Sequence, residues 1–171
     1  DFRQMRVQKM RQKFNFNLAQ MFSKQFFNQA QKEAIQSAIA EAELNTSGEI
    51  RVHVDDKCAV APVEKAIEVF EKLKMHETEL RNGVLIYVAV KDHKLAIVGD
   101  QGINDAVADN FWDEIKNNLI ESFKKGLYAE GLSDCIKSAG MQLKAHFPYQ
   151  SDDINELSNE ISFGEGKDEM K

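Results

Sequence analysis

The stretch RNGVLIYVAVKDHKLAIVGD, residues 81–100, carries the pattern that decides the fold of this chain. Its first three residues predict a turn, and the nearly continuous apolar run over residues 84–90 predicts a strand that is buried on both faces. Residues 91–93 are few enough for a hairpin turn, so a strand over residues 94–99 is predicted to return antiparallel beside the first. A strand that is apolar on both faces is normally covered by helices above and below the sheet.

Helix and strand patterns flank this hairpin on both sides. Apolar residues recur at helical spacing over residues 31–43, and Asn28 is the expected N-cap of that helix. Strict alternation in EIRVHVD, residues 49–55, predicts another strand, with isoleucine and valine on one face and polar side chains on the other. A second helix is predicted to begin at or near Pro62, and two more follow the hairpin and end before Pro148.

The predicted order of elements is helix, strand, helix, strand, strand, helix, helix. Because a helix joins the first two strands, they should be parallel with a right-handed crossover, and the third strand should be antiparallel to them. The sequence therefore predicts an α/β fold, a three-layer α/β/α sandwich around a small mixed sheet. Two strands of that sheet are parallel by helical crossover, and one is an antiparallel hairpin strand.

Length and charge limit the organisation and the partners of the chain. Its 171 residues suffice for one hydrophobic core. We expect a basic N-terminal extension over residues 1–25, a folded domain over residues 26–150 that closes near Pro148, and an acidic tail over residues 151–171 that contributes mainly charge. A net charge of −6 argues against nucleic acid as the main partner. No apolar run approaches the roughly 20 residues of a transmembrane segment, and no signal peptide is visible, so we expect a cytoplasmic location.

The predicted topology brings three polar stretches to one edge of the sheet. The parallel strands begin at this edge and the antiparallel strand ends there, which collects TSGE (residues 46–49), RNG (81–83) and GDQGIND (99–105). Carboxylate and amide oxygens are the ligands that calcium and magnesium prefer, and crowded carboxylates need a cation or an arginine to neutralise them. The predicted metal ligands are Glu49, Asn82, Asp100, Asn104 and Asp105.

The same residues also allow a purely structural interpretation. Asp105 could cap the following helix, and Asp100 could accept hydrogen bonds within its own turn. Glu49 could pair with Arg81 on the surface, at little gain in stability. Spacing alone leaves both interpretations open.

Histidines and cysteines give weaker signals. His53 and His93 have no nucleophile near them in the sequence, and we expect both to be structural or solvated. Cys135 falls on the apolar side of its helix, whereas Cys58 lies close to Lys57 and is a candidate reactive thiol. The two cysteines show no metal-binding or CxxC spacing, and we expect free thiols.

Three separated blocks resemble one known family. They are AIAEAELNTSGEIRVHV (residues 38–54), RNGVLIYVAVKDHKLAIVGDQGIND (81–105), and the segments FWDEI and FKKGLYAEGL that follow. Over residues 28–150 the sequence resembles the TPM domain family, named after thylakoid-lumen, photosystem-repair and levamisole-receptor-modulator proteins, and most closely its small soluble bacterial members. The resemblance implies a helix–sheet–helix sandwich, and a divalent-cation role for the acidic pocket matched here by Glu49, Asp100 and Asp105. The family includes calcium-binding proteins and proteins assigned acid phosphatase activity.

Two functions follow as hypotheses. The first is a soluble TPM-domain protein that binds calcium or magnesium at the acidic edge, in a structural role or in binding a protein partner. The alternative is a metal-dependent phosphatase with Asp100, Asp105 and Arg81 as candidate catalytic residues. In that case the cation would polarise a phosphoryl oxygen and activate water, and Arg81 would hold the phosphate. A third possibility is an interaction domain without a site.

Overall fold

Every residue of the first hairpin strand is buried, and this strand lies inside the sheet. In the computed structural model, which describes residues 26–164, this strand is β2 (Gly83–Ala89). It pairs in parallel with β1 (Glu49–Asp55) and antiparallel with β3 (Lys94–Gly99). A two-residue strand, β4 (Ser162–Phe163), pairs in parallel with the other side of β1, so the order is β3-β2-β1-β4. The predicted α/β sandwich with a mixed sheet is confirmed, and β4 is a strand that the sequence analysis did not predict.

The four longer helices of the described chain lie where the apolar spacing predicted them, and the short helix after β3 was not predicted. They are α1 (Gln29–Glu43), α2 (Pro62–Lys72), the short α3 (Gln101–Asn104), α4 (Phe111–Lys124) and α5 (Tyr128–His146), with one 3₁₀ turn at Met75–Glu77. Asn28 caps α1 as predicted: its Oδ1 accepts from the Gln31 N–H at 2.8 Å, and Gln31 Oε1 accepts from the Asn28 N–H at 2.9 Å. This reciprocal capping box fixes where α1 begins.

The sheet has a hydrophobic core on each face. Alternate residues of β1 and β2, among them Val52 and Ile86, pack with α1, α4 and α5. The other face of β2, including Leu85 and Tyr87, packs against α2, which lies over β2 and β3. Burying a large aliphatic side chain in this way stabilises the fold by about 1.5–3 kcal/mol relative to leaving it exposed.

The predicted extension over residues 1–25 and the last residues, 165–171, lie outside the described part of the chain. Within residues 26–164, no helix combines the length and the apolar character that crossing a membrane requires.

Residues 153–164, called here the C-terminal strap, cover the polar face of β1. Ser162 of β4 pairs with His53 of β1. Ile161 is only 7% exposed and belongs to the core. The Glu156 N–H donates to Glu49 Oε1 at 2.7 Å. We expected the chain beyond residue 150 to contribute mainly charge, but the strap completes the sheet. Because α2 lies over β2 and β3, Glu49 and His53 of β1 take hydrogen-bond partners from the strap instead.

Replacing Ile161 with alanine should lower the free energy of unfolding by about 2 kcal/mol, because it removes buried apolar surface and leaves a void beneath the strap. Ile154 is the matched control, since it lies in the same strap and is 77% exposed. Ile154→Ala should change stability by less than about 0.5 kcal/mol. Urea unfolding measures both changes in stability. Equal losses for Ile161→Ala and Ile154→Ala would contradict the packing of the strap against the core.

Candidate functional site

Asp100, in the turn after β3, is held by an arginine and by the backbone. Arg81 Nε donates to Asp100 Oδ2 at 2.7 Å, and Arg81 Nη2 donates to Asp100 Oδ1 at 2.8 Å. The Gln101 N–H also donates to Asp100 Oδ1 at 2.8 Å, so Asp100 is the N-cap of α3. The paired hydrogen bonds from Arg81 neutralise this carboxylate, whose side chain is only 6% exposed. The structural interpretation of Asp100, as an acceptor within its own turn, is confirmed.

The glycines of the GDQG turn serve close packing of the backbone. The Gly102 N–H donates to the Arg81 carbonyl at 2.8 Å, and a Cβ on Gly102 would collide with the carbonyl oxygen of Leu80. A Cβ on Gly99 would come within 2.8 Å of both Asn104 and Trp112. This stretch of backbone therefore bends around the chain's own loop at residues 80–81.

The other two predicted ligands of this turn are arranged differently. Asn104 Nδ2 donates to the Gly99 carbonyl at 2.8 Å, and Asn104 Oδ1 accepts from Trp112 Nε1 at 2.8 Å. Asp105 is exposed and is the C-cap residue of α3. The idea that it caps the following helix is wrong, because the N-cap position of α4 is Asn110.

Glu49 and Asn82, at the start of β1 and β2, form a separate group. The Glu49 N–H bonds to the Asn82 carbonyl at 3.4 Å, and both side chains are almost fully buried. The suggested surface pair of Glu49 with Arg81 is wrong, since Arg81 binds Asp100 instead. Because β2 lies between β1 and β3, the backbones at Glu49 and Asp100 are two strand spacings apart, about 10 Å. The predicted ligand set is therefore divided between two places on one edge.

A second carboxyl group lies beside Glu49, and it is Glu43 from the last turn of α1. Glu43 Oε1 accepts from the Ile50 N–H at 2.9 Å. Glu49 Oε2 is buried without a hydrogen-bond partner, and the carboxyl groups of Glu43 and Glu49 are close enough to shift each other's pKa. Asn82 Oδ1 is a further buried oxygen without a donor. These two glutamates are called here the Glu43–Glu49 pair.

Burial and like charge make both members of the pair difficult to ionise. Burial, with a smaller effect of the neighbouring Glu49 charge, raises the pKa of Glu43 to about 8. Burial also raises the pKa of Glu49 to about 7, and the carboxylate of Glu156 adds to this, while the hydrogen bond from the Glu156 N–H opposes it. Neither glutamate forms an ion pair with a lysine or arginine of the described chain. The pair is therefore a cluster of two buried carboxyl groups that has no cationic side-chain partner in the described part of the chain.

The pair lines a cavity of about 270 Å³ beneath the strap. Among the other oxygen-bearing side chains on its wall are those of Ser47, Asp153 and Asn155. Residues 26–164 contain no group of three or more His, Cys, Asp or Glu side chains placed to hold a metal ion. A cation in this cavity would thus take its ligands from the pair, from amide and hydroxyl oxygens, and from water.

A buried polar network at the other end of β1 was not predicted from the sequence. His53 bonds through Nδ1 to Ser162 Oγ at 2.9 Å and through Nε2 to Asp55 Oδ1 at 2.8 Å, and Tyr87 donates its hydroxyl to Asp55 Oδ2 at 2.8 Å. Burial alone would raise the pKa of Asp55, but hydrogen bonds from His53 and Tyr87 hold it below its ordinary value. His53 is thus a structural histidine, as expected. Nearby Cys58 is a free thiol but only 3% exposed, which does not favour a reactive role.

Comparison with known proteins agrees with this architecture. The family model described as TPM domain matches residues 21–142. The NMR structure of the BA42 protein from the psychrophilic bacterium Bizionia argentinensis is 49% identical, with a TM-score of 0.77 over 82% of this chain and 97% of that chain. None of the curated proteins matches the chain significantly.

Two more distant structures share the fold alone. The N-terminal domain of a protein from P. gingivalis is 19% identical, with a TM-score of 0.60 over 74% of this chain and 83% of that one. The N-terminal domain of the cg2496 protein from Corynebacterium glutamicum is 15% identical, with a TM-score of 0.56 over 69% of this chain and 74% of that one.

Removing the hydroxyl of Tyr87 tests the buried network. Tyr87→Phe leaves Asp55 Oδ2 buried without its donor and should lower the free energy of unfolding by about 1–3 kcal/mol. Tyr149 is 52% exposed, and Tyr149→Phe should change stability by less than about 0.5 kcal/mol. Urea unfolding at neutral pH measures both changes in the free energy of unfolding. If Tyr87→Phe left the free energy of unfolding unchanged, the Tyr87 hydroxyl would contribute nothing to holding Asp55.

Proposed function

The chain belongs to the TPM-domain family, and we propose that it binds a divalent cation, calcium or magnesium, at the Glu43–Glu49 pair. The role of the cation is structural, or it presents the edge of the sheet to a protein partner. The observation that carries this proposal is the burial of two adjacent carboxyl groups that have an unpartnered oxygen, Glu49 Oε2, and no lysine or arginine partner among the described residues.

Electrostatics supports a cation at this place. Two carboxylates in a desolvated site repel each other, and they must share a proton or bind a positive charge. A calcium ion takes six to eight oxygen ligands, and magnesium keeps several of its waters. Glu43 and Glu49 would supply oxygens from the wall of the cavity, and Asp153 would close the site from the strap. Asn82 Oδ1, a buried oxygen beside the start of β1, would supply a further ligand.

The remaining predicted ligands are not part of this proposal. Asp100 is neutralised by Arg81, and both polar atoms of the Asn104 amide have partners. Asp105 is exposed and belongs to the same turn as Asp100. Glu49 and Asn82 are therefore the two predicted ligands that the proposal keeps, and Glu43 is added to them.

Calcium added to metal-free protein at about pH 8 should raise the Tm, because a ligand that binds only the folded state stabilises it by mass action. Glu49→Gln should remove most of this shift. Glu41→Gln is the matched control, since Glu41 is an exposed residue of α1, and it should keep the full shift. A Tm that does not change in millimolar calcium or magnesium would reject the site.

Without a cation, stability should fall as the pH rises. The folded-state pKa values of about 8 for Glu43 and about 7 for Glu49 lie above the ordinary value of 4.5. The protonated pair therefore stabilises the fold fully below about pH 4.5, and this contribution is lost as the pH rises through 7 and 8. Glu43→Gln should flatten the change, as measured by urea unfolding in chelator at about pH 5 and pH 8. These pKa shifts would be contradicted if the wild-type protein were more stable at pH 8 than at pH 5 and Glu43→Gln showed the same change in stability.

A phosphatase remains the second candidate because of a separate cavity. This cavity, of about 460 Å³, is lined by Arg81 and His76, which could hold a phosphate, and also by the carboxyl groups of Asp100 and Glu71. Hydrolysis of p-nitrophenyl phosphate with added magnesium tests this function. The activity should be lost in chelator and in Arg81→Gln, and Lys72→Gln serves as the control. Absence of hydrolysis at acidic and neutral pH would leave cation binding as the function.

A further inference from the structure

A third cavity lies between the β2–β3 hairpin and α4, away from both sites described above. It measures about 440 Å³, within the range of about 300–1,000 Å³ that small-molecule sites occupy. Most of its wall is apolar and comes from Val88, Val90, Leu95, Ile120, Phe123 and Tyr128. This space is called here the hairpin cavity.

One wall of the hairpin cavity is a chain of aromatic rings. The ring centroids of Phe26 and Tyr128 are 5.0 Å apart, and those of Phe123 and Tyr128 are 5.1 Å apart, both with edge-to-face geometry. Such contacts hold each ring in one orientation. The wall is therefore preformed, and a ligand would not have to order these side chains on binding.

The polar part of the wall is cationic. Lys94, Lys116 and Lys124 line the cavity together with His93, and no Asp or Glu of residues 26–164 does so. Lys94 Nζ donates to the carbonyl oxygens of Cys58 at 2.9 Å and Val60 at 3.2 Å, which position the ammonium group without neutralising its charge.

The other two lysines differ in how strongly they are paired. Lys124 pairs with Glu121 at 3.1 Å, and both side chains are mostly exposed. Lys116 has no ion pair within the described part of the chain. An anionic ligand in the hairpin cavity would therefore meet at least two ammonium groups that lack a carboxylate partner.

We propose that the hairpin cavity binds a medium-chain fatty acid. The acyl chain lies against Leu95, Ile120 and Phe123, and the carboxylate is held by Lys116 and Lys94. Charge complementarity selects an anionic headgroup, and the limited volume selects a single chain over a two-chain lipid. This site is independent of the proposed cation site.

Calorimetric titration of the full chain with laurate, below its micelle concentration, tests the proposal. Laurate should bind one equivalent, and each methylene added between octanoate and laurate should raise the affinity about threefold to fourfold. Dodecyltrimethylammonium has the same chain with a cationic headgroup and should bind at least about tenfold more weakly. Lys116→Gln should weaken laurate about fivefold. The matched control is Lys125→Gln, an exposed lysine outside the hairpin cavity, which should bind laurate as the wild type does.

Three results would overturn the proposal. The first is that the full chain does not bind laurate, whether the hairpin cavity is open or is covered by other residues of the chain. The second is equal affinity for the anionic and the cationic amphiphile. The third is equal affinity of the Lys116→Gln and Lys125→Gln variants, which would place the carboxylate elsewhere.

Discussion

The parallel pairing of β1 with β2 determines where the buried polar groups of these two strands lie. β2 is buried along its whole length, so both of its edges must be hydrogen-bonded to neighbouring strands. The register runs from Glu49 opposite Gly83 to Asp55 opposite Ala89. It places Glu49 beside Asn82 at one end of the sheet, and His53, Asp55 and Tyr87 together at the other.

The buried carboxyl groups of the domain are of two kinds, which differ in whether donors balance their charge. Asp100 accepts from an arginine, and Asp55 accepts from a histidine and a tyrosine, so each of these charges is balanced by donors. Glu43 and Glu49 receive backbone donors but lie against each other and retain high pKa values. Donors around Asp100 and Asp55 favour the ionised form, whereas burial and mutual repulsion at the pair favour protonation or an added cation. This contrast separates the proposed site from the structural acids.

The parts of the fold that depend on local pattern could be predicted from the sequence. The hairpin, the Asn28 cap and the start of α2 at Pro62 each follow from a few neighbouring residues. The strap could not be predicted, because a two-residue strand in an acidic segment has no alternation to detect. Its apolar residues, such as Ile161, gave the only hint. The edge argument brought Glu49 and Asn82 to the same edge but could not foresee that Arg81 binds Asp100, since that choice depends on side-chain geometry across two loops.

The strap also affects how the chain reaches its native state. His53 and Ser162 bond across 109 positions of the sequence, so closing β4 requires one of the longest loops in the domain. Contacts of such high sequence separation slow folding, and on a ribosome Ser162 emerges long after β1. Until then, β1 has an open edge and an uncovered polar face, and open edges are templates for pairing with other chains. The strap, which is synthesised long after β1, is therefore the segment that protects this strand from pairing with other chains.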